Sequence, residues 1–220
     1  MTRVWLLVFG VVATIGFAAV VLVGIPRVVL LAVPVPEQLE PYGAVERRGR
    51  EVYIANGCVY CHSQQVRDDA FTTDVQRGWG DRPTVPADYV YDRPHLLGTM
   101  RTGPDLINVG IRLPSREWHL IHLYNPRALI EWSIMPAYPF LFEEKAPGEV
   151  RPDDVVVPVR GPRAPAGRVV VATPDAIALA EYLLALRRGY PVPTAGGAAG
   201  RHDAGPDVEA GDGRGVHTMP

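Results

Sequence analysis

The only two cysteines of the chain fall in GCVYCHSQ, residues 57–64, as Cys58 and Cys61, with His62 directly behind the second. Three chemistries use thiols at this spacing. A structural zinc site takes four ligands, and with no second cysteine pair it would have to be completed by His95, His119 or His122. A thioredoxin-type redox pair wants a βαβ setting, which the flanking sequence does not supply. C-x-x-C-H is also the pattern of covalent haem attachment. Two thiols add to the vinyl groups of the haem, and the adjacent histidine is left facing the iron. The spacing is short because one rigid ring holds both vinyl groups and the metal. The expectation is one covalently attached haem c, with Cys58 and Cys61 as anchors and His62 as an iron ligand.

A sixth iron ligand can come from Met100, Met135, His95, His119 or His122. Met135 lies in SIMPAYP, where the following proline holds the chain extended. It is also far enough downstream for the chain to wrap the haem and return on its other face. Met100 sits just ahead of Gly103 and Pro104, which belong with the histidine. His119 and His122, three apart on a candidate helix, read as propionate partners or surface residues. Met135 is therefore expected as the ligand opposite His62. In RTGPDL, residues 101–106, the Pro104 carbonyl is expected to hold the second ring nitrogen of His62, which fixes ring orientation and raises basicity. Arg67 and Arg101 are expected to neutralise propionates. A His/Met iron has no open position, which suits electron transfer, and methionine ligation raises the potential.

These residues need elements to position them. The formal net charge is −2, and no basic stripe points to nucleic acid. Val4 to Ile25 carries no charge and is long enough as a helix to cross the hydrocarbon core of a bilayer. It is expected as an uncleaved membrane anchor, residues 1–27, since the chain beyond it offers no convincing signal-cleavage site. Haem attachment takes place outside the cytoplasm, so the remainder is placed on the outer, periplasmic side of the inner membrane. Residues 28–48, with four prolines counting from Pro26, are read as the boundary and length of an extended connector. A short helix over 49–57 is expected to run into the cysteines, and residues 66–100 to form ordered loop. SREWHLIHLYN predicts a helix over 115–125 capped by Ser115, with Trp118, Ile121 and Leu123 or Tyr124 inward. Two valine-rich runs within an insertion over 145–172 predict a β-hairpin. Thr173 and Pro174 open a helix over 174–188, with Arg187 and Arg188 favouring its negative end. Residues 191–220 are read as a flexible tail.

Three stretches, GREVYIANGCVYCHSQQVR, YDRPHLLGTMRTGPDLINVGIR and EWHLIHLYNPRALIEWSIMPAYPFL, resemble the membrane-anchored mono-haem cytochrome c subunit of cbb-type haem-copper oxidases. The resemblance covers roughly residues 45–142. It implies a mainly α fold, with one transmembrane helix followed by a class I cytochrome c domain over residues 49–190. It places the haem cysteines on Cys58 and Cys61 and the iron ligands on His62 and Met135. Gly49 and Tyr53 match the pair that such cytochromes set where the first and last helices cross, with Tyr182 and Leu186 as expected contacts. By the same resemblance the chain is an electron-transfer subunit, not a catalyst by itself. Another c-type cytochrome, for instance a di-haem subunit, would be its donor, and a catalytic haem-copper subunit that reduces oxygen its acceptor. The chain departs from the family pattern at Gln65 to Asp69 and in the insertion. A nitric oxide reductase subunit and a membrane-tethered haem sensor are the alternatives.

Overall fold

The computed structural model describes residues 2–160 and 164–192. The tail beyond Val192 therefore lies outside the described residues. Helix α1 (Thr2–Ala19), one wide turn at Val20–Gly24 and helix α2 (Ile25–Leu31) run as a single rod. From Arg3 to Leu31 it has 29 residues and buries none of them. That is roughly 43 Å of helix, more than the roughly 30 Å of a hydrocarbon core. Pro26 has no N–H to donate, and its ring would crowd the preceding turn. The wide turn, in which the Ile25 N–H donates to the Val20 carbonyl, makes room for it. The rod thus continues past residue 27, and helix occupies part of the stretch read as connector.

Helix α3 (Ala44–Ala55) also begins earlier than the expected residue 49. Only 32–43, between these helices, is without helix. Helix α3 crosses α6 (Pro174–Ala185) at Gly49. A Cβ there would overlap the Ala178 carbonyl and lie 2.8 Å from the Tyr182 Cβ. Tyr182 is fully buried at the crossing. Tyr53 and Tyr42 meet its ring edge-on at centroid distances of 5.6 and 5.5 Å. Such pairs contribute about 1 kcal/mol each beyond area burial. Leu186, also fully buried, accepts the Gly110 N–H from the short helix α4 (Val109–Arg112).

Thr173 caps α6, accepting the Ala176 N–H and donating its hydroxyl to the Leu141 carbonyl at 2.8 Å. The helix stops at Ala185, so the two arginines fall beyond it. Arg187 still reaches back to the Leu184 carbonyl. Arg188 is instead buried, donating to the Asp88 carbonyl and the Tyr42 hydroxyl and facing Asp92 at 3.7 Å. Helix α5 (Arg116–Tyr124) is capped by Ser115, as its sequence predicts.

The valine runs do pair, as β2 (Val155–Val157) against β3 (Val169–Ala172), but β3 is the centre of a three-stranded antiparallel sheet. Strand β1 (Phe142–Lys145), FEEK in sequence, pairs with its other side, Glu143 opposite Val171. Its charges are matched locally: Glu144 accepts from the Tyr124 hydroxyl at 2.6 Å, and Lys145 pairs with Asp154 at 2.8 Å.

Candidate haem site

Gly57 turns the chain out of α3 in the left-handed region, φ +67°, where a side chain would strain the backbone. A single 3-10 turn over Cys58–Tyr60 follows. The Cys58 carbonyl accepts the N–H groups of Cys61 and His62, so the three candidate residues share one turn. The two cysteines are not joined to each other in a disulfide. The His62 Nδ1 lies 2.7 Å from the Pro104 carbonyl oxygen. Only a protonated Nδ1 can make that bond, which leaves the Nε2 lone pair for a metal. Gly103 lies against the same ring, where a Cβ would sit 2.7 Å from Nδ1 and 2.8 Å from Nε2. Its N–H donates to the Cys61 carbonyl at 2.9 Å, tying the GP turn to the cysteine turn. Burial lowers the pKa of His62, with the Pro104 bond opposing. Burial pushes the Cys58 thiol up to about 11, the opposite of what an attacking redox thiol needs.

Behind the histidine lies a polar network. Asp105, fully buried, accepts the Ser63 hydroxyl at 2.5 Å, the Gln65 N–H at 2.7 Å and the Ile107 N–H at 2.9 Å. Burial raises the pKa of its carboxyl despite these bonds and nearby Arg101. Arg101 donates to the Ser63 hydroxyl at 2.9 Å, to the Asp74 carboxylate and to the Gln65 carbonyl. The Arg101 and Arg77 guanidiniums each lie over the Trp79 ring, 5.2 and 5.1 Å from its centroid. Asp74 is pushed up by burial, but its bonds to Arg101 and to the Arg67 amide bring it below the usual carboxylate range. The Arg67 guanidinium makes one long contact, 3.4 Å, with the Thr99 carbonyl. Sequence reading did not single out Ser63, Asp74 or Asp105; the one local signal was an acid directly after Gly-Pro.

Helix α5 and the loop after it carry the remaining candidates. His119, Leu120, Ile121, Leu123 and Tyr124 are buried. His119 Nε2 is held by the Leu113 carbonyl at 2.9 Å. Trp118, expected inward, is half-buried and stacks on the His122 ring at 4.6 Å. The chain turns at Pro126–Ala128 and returns to α5, where the Tyr138 N–H donates to the Leu123 carbonyl at 2.9 Å. Met135 lies on this returning loop, half-buried against the core, its N–H on the Ser133 hydroxyl at 3.2 Å. Its neighbours Trp132 and Ile134 are 83% and 72% exposed. Of the other ligand candidates, Met100 is 57% exposed, and His95 is an exposed ring edge-on to Tyr89.

Among the described residues no group of three or more His, Cys, Asp or Glu is arranged to hold a metal ion. Two cysteines and an imidazole on one turn, with a thioether on a returning loop, make a donor set suited to haem. A glycine cradle against the imidazole and a proline carbonyl on its far nitrogen fit the same group. A family model described as "Cytochrome C oxidase, mono-heme subunit/FixO" matches residues 2–158. No curated protein matches the chain.

Proposed function

The chain belongs to the family of mono-haem subunits of cytochrome c oxidase, FixO, and from that premise we propose that Cys58 and Cys61 hold its one haem covalently while His62 and Met135 ligate the iron. The family makes the chain a membrane-anchored electron-transport subunit that works with a catalytic oxidase partner. When bound, the haem supplies a one-electron redox centre. The chain's residues hold and orient it. Pro104 keeps His62 in the tautomer whose Nε2 faces the iron, and Gly103 leaves room for that ring. Arg101, engaged by Ser63, Asp74 and Gln65, braces the histidine loop, and Arg67 is the better placed of the two arginines to meet a propionate. With His62 and Met135 both given to the iron, the haem would pass electrons and leave oxygen chemistry to the catalytic subunit. The donor is another c-type cytochrome, and the domain stands on the outer side of the inner membrane, where c-type attachment takes place.

The observation that carries this reading is the 2.7 Å contact between His62 Nδ1 and the Pro104 carbonyl, beside two cysteines on the same turn. The ligand assignment is tested by redox titration of Met135→His and Met100→His in the purified complex. Met135→His keeps the covalent haem and lowers the midpoint potential by more than about 59 mV, a tenfold change for one electron. A fall of that kind in Met100→His alone would show the assignment to be wrong.

A further inference from the structure

The anchor rod carries an apolar end that the described residues leave bare. Val4–Ile25, without a charge, makes about 33 Å of helix, enough to fill the hydrocarbon core. After Arg3, Arg27 is the one charged residue in the rod. A guanidinium is costly inside the core, so Arg27 marks its outer edge. The rod runs on past it. Val28, Val29 and Leu31 are 67%, 61% and 60% exposed, and no residue of α2 is buried. From Val28 to Val35 the chain has no polar side chain. At this depth a bilayer presents hydrated headgroups, which suit Trp, Tyr, Lys and Arg rather than an aliphatic run.

The folded domain begins directly afterwards. Pro36, Leu39 and Tyr42 are buried, with Tyr42 edge-on to Tyr182 of α6. From Leu31 to the buried Pro36 the chain reaches at most roughly 18 Å. Whatever grips the end of the rod therefore also limits where the haem domain stands.

We propose that Val28–Val35 docks on an aliphatic outer-side surface of the catalytic oxidase subunit, carrying the anchor's contact past the hydrocarbon core. This rests on the family's oxidase partner. Removing an aliphatic run from water is favourable, and a protein surface can do so where headgroups cannot. By the proposed function the same partner receives the electron. Electron transfer falls off steeply with distance, and a docked segment this close to the domain keeps the haem near one separation from its acceptor.

The test uses the full chain in its native membrane, purified through a tag on this chain. Val29→Asp is expected to lower the catalytic subunit recovered per haem about tenfold, while the chain stays in the membrane and keeps its haem. Unchanged recovery overturns the inference, since a carboxylate is tolerated among headgroups and not on an aliphatic protein surface. Val29→benzoylphenylalanine, irradiated in the membrane, identifies the occupant and decides should Val29→Asp not accumulate. An adduct with the catalytic subunit is expected. An adduct with lipid alone, with a second copy or within the chain itself overturns the docking. Haemochrome on the same samples keeps the haem assignment separate: a haem-loaded chain without that adduct sinks only the docking. A wild-type chain that brings down no catalytic subunit removes the partner, and the docking with it.

Discussion

The His62 turn and the Met135 loop are built differently. On the histidine side, the ring nitrogen, the GP turn and the cysteine turn are joined by short bonds, and a buried Asp105–Arg101–Asp74 network stands behind them. Around Met135, the loop after α5 ties the Met135 N–H to the Ser133 hydroxyl and the Tyr138 N–H to the Leu123 carbonyl, with no buried ionic network behind it among the described residues. The His62 turn is set by the chain alone. Under the proposed ligation this division would suit an electron carrier: the Cys58–His62 turn would hold the haem, and the Met135 loop would tune its potential.

Substitutions on the rigid side have the larger effects. Gly103→Val puts carbon into the His62 ring, displaces it from Pro104 and leaves most chains without haem, measured as haemochrome per chain. Full loading would mean that this side is not preset. Asp105→Ala strands the Ser63 hydroxyl and two backbone N–H groups and removes a carboxylate from beside Arg101. Haem-loaded protein should lose about 3 kcal/mol in a denaturant titration. A loss under 1 kcal/mol would contradict the bracing role.

Acid probes α5. Burial lowers the pKa of both His119 and His122, the latter to about 4. The fold keeps both rings neutral, while the unfolded chain binds protons near pH 6.5. The stability they contribute is present above pH 6.5 and is lost as pH falls from there toward 4. The thermal midpoint should drop over that window, and His122→Phe should flatten the drop. An unchanged slope would separate His122 from the effect. The smallest change is expected from Ser133→Ala, which removes one acceptor from the Met135 N–H and should cost about 1 kcal/mol or less. A large loss of haem there would show the methionine loop to be as preset as the histidine turn.

The same division explains what the sequence made legible. CVYCH, GP and MP are local signals, and so are the Ser115 and Thr173 caps, each set by residues a few positions apart. The brace is not local: Arg101 finds Ser63 and Asp74 at separations of 38 and 27 residues, and nothing in RTGPDL announces them. Strand β1 escaped notice because FEEK has no apolar alternation, its charges being matched by Tyr124 and Asp154. Arg188 looked like a helix-end cation and became a buried partner of Asp92 and Tyr42, because α6 stops at Ala185. Helix α3 starts at Ala44 after Gly43, where a proline-rich run suggested only extended chain.

The covalent bond between haem and the cysteine turn is tested most directly by denaturing the purified chain in acidified acetone and weighing the peptide that contains residues 57–64. The account predicts a coloured peptide heavier by one haem, with the added mass on Cys58 and Cys61. A colourless peptide at its bare mass, with haem in the solvent, would contradict it.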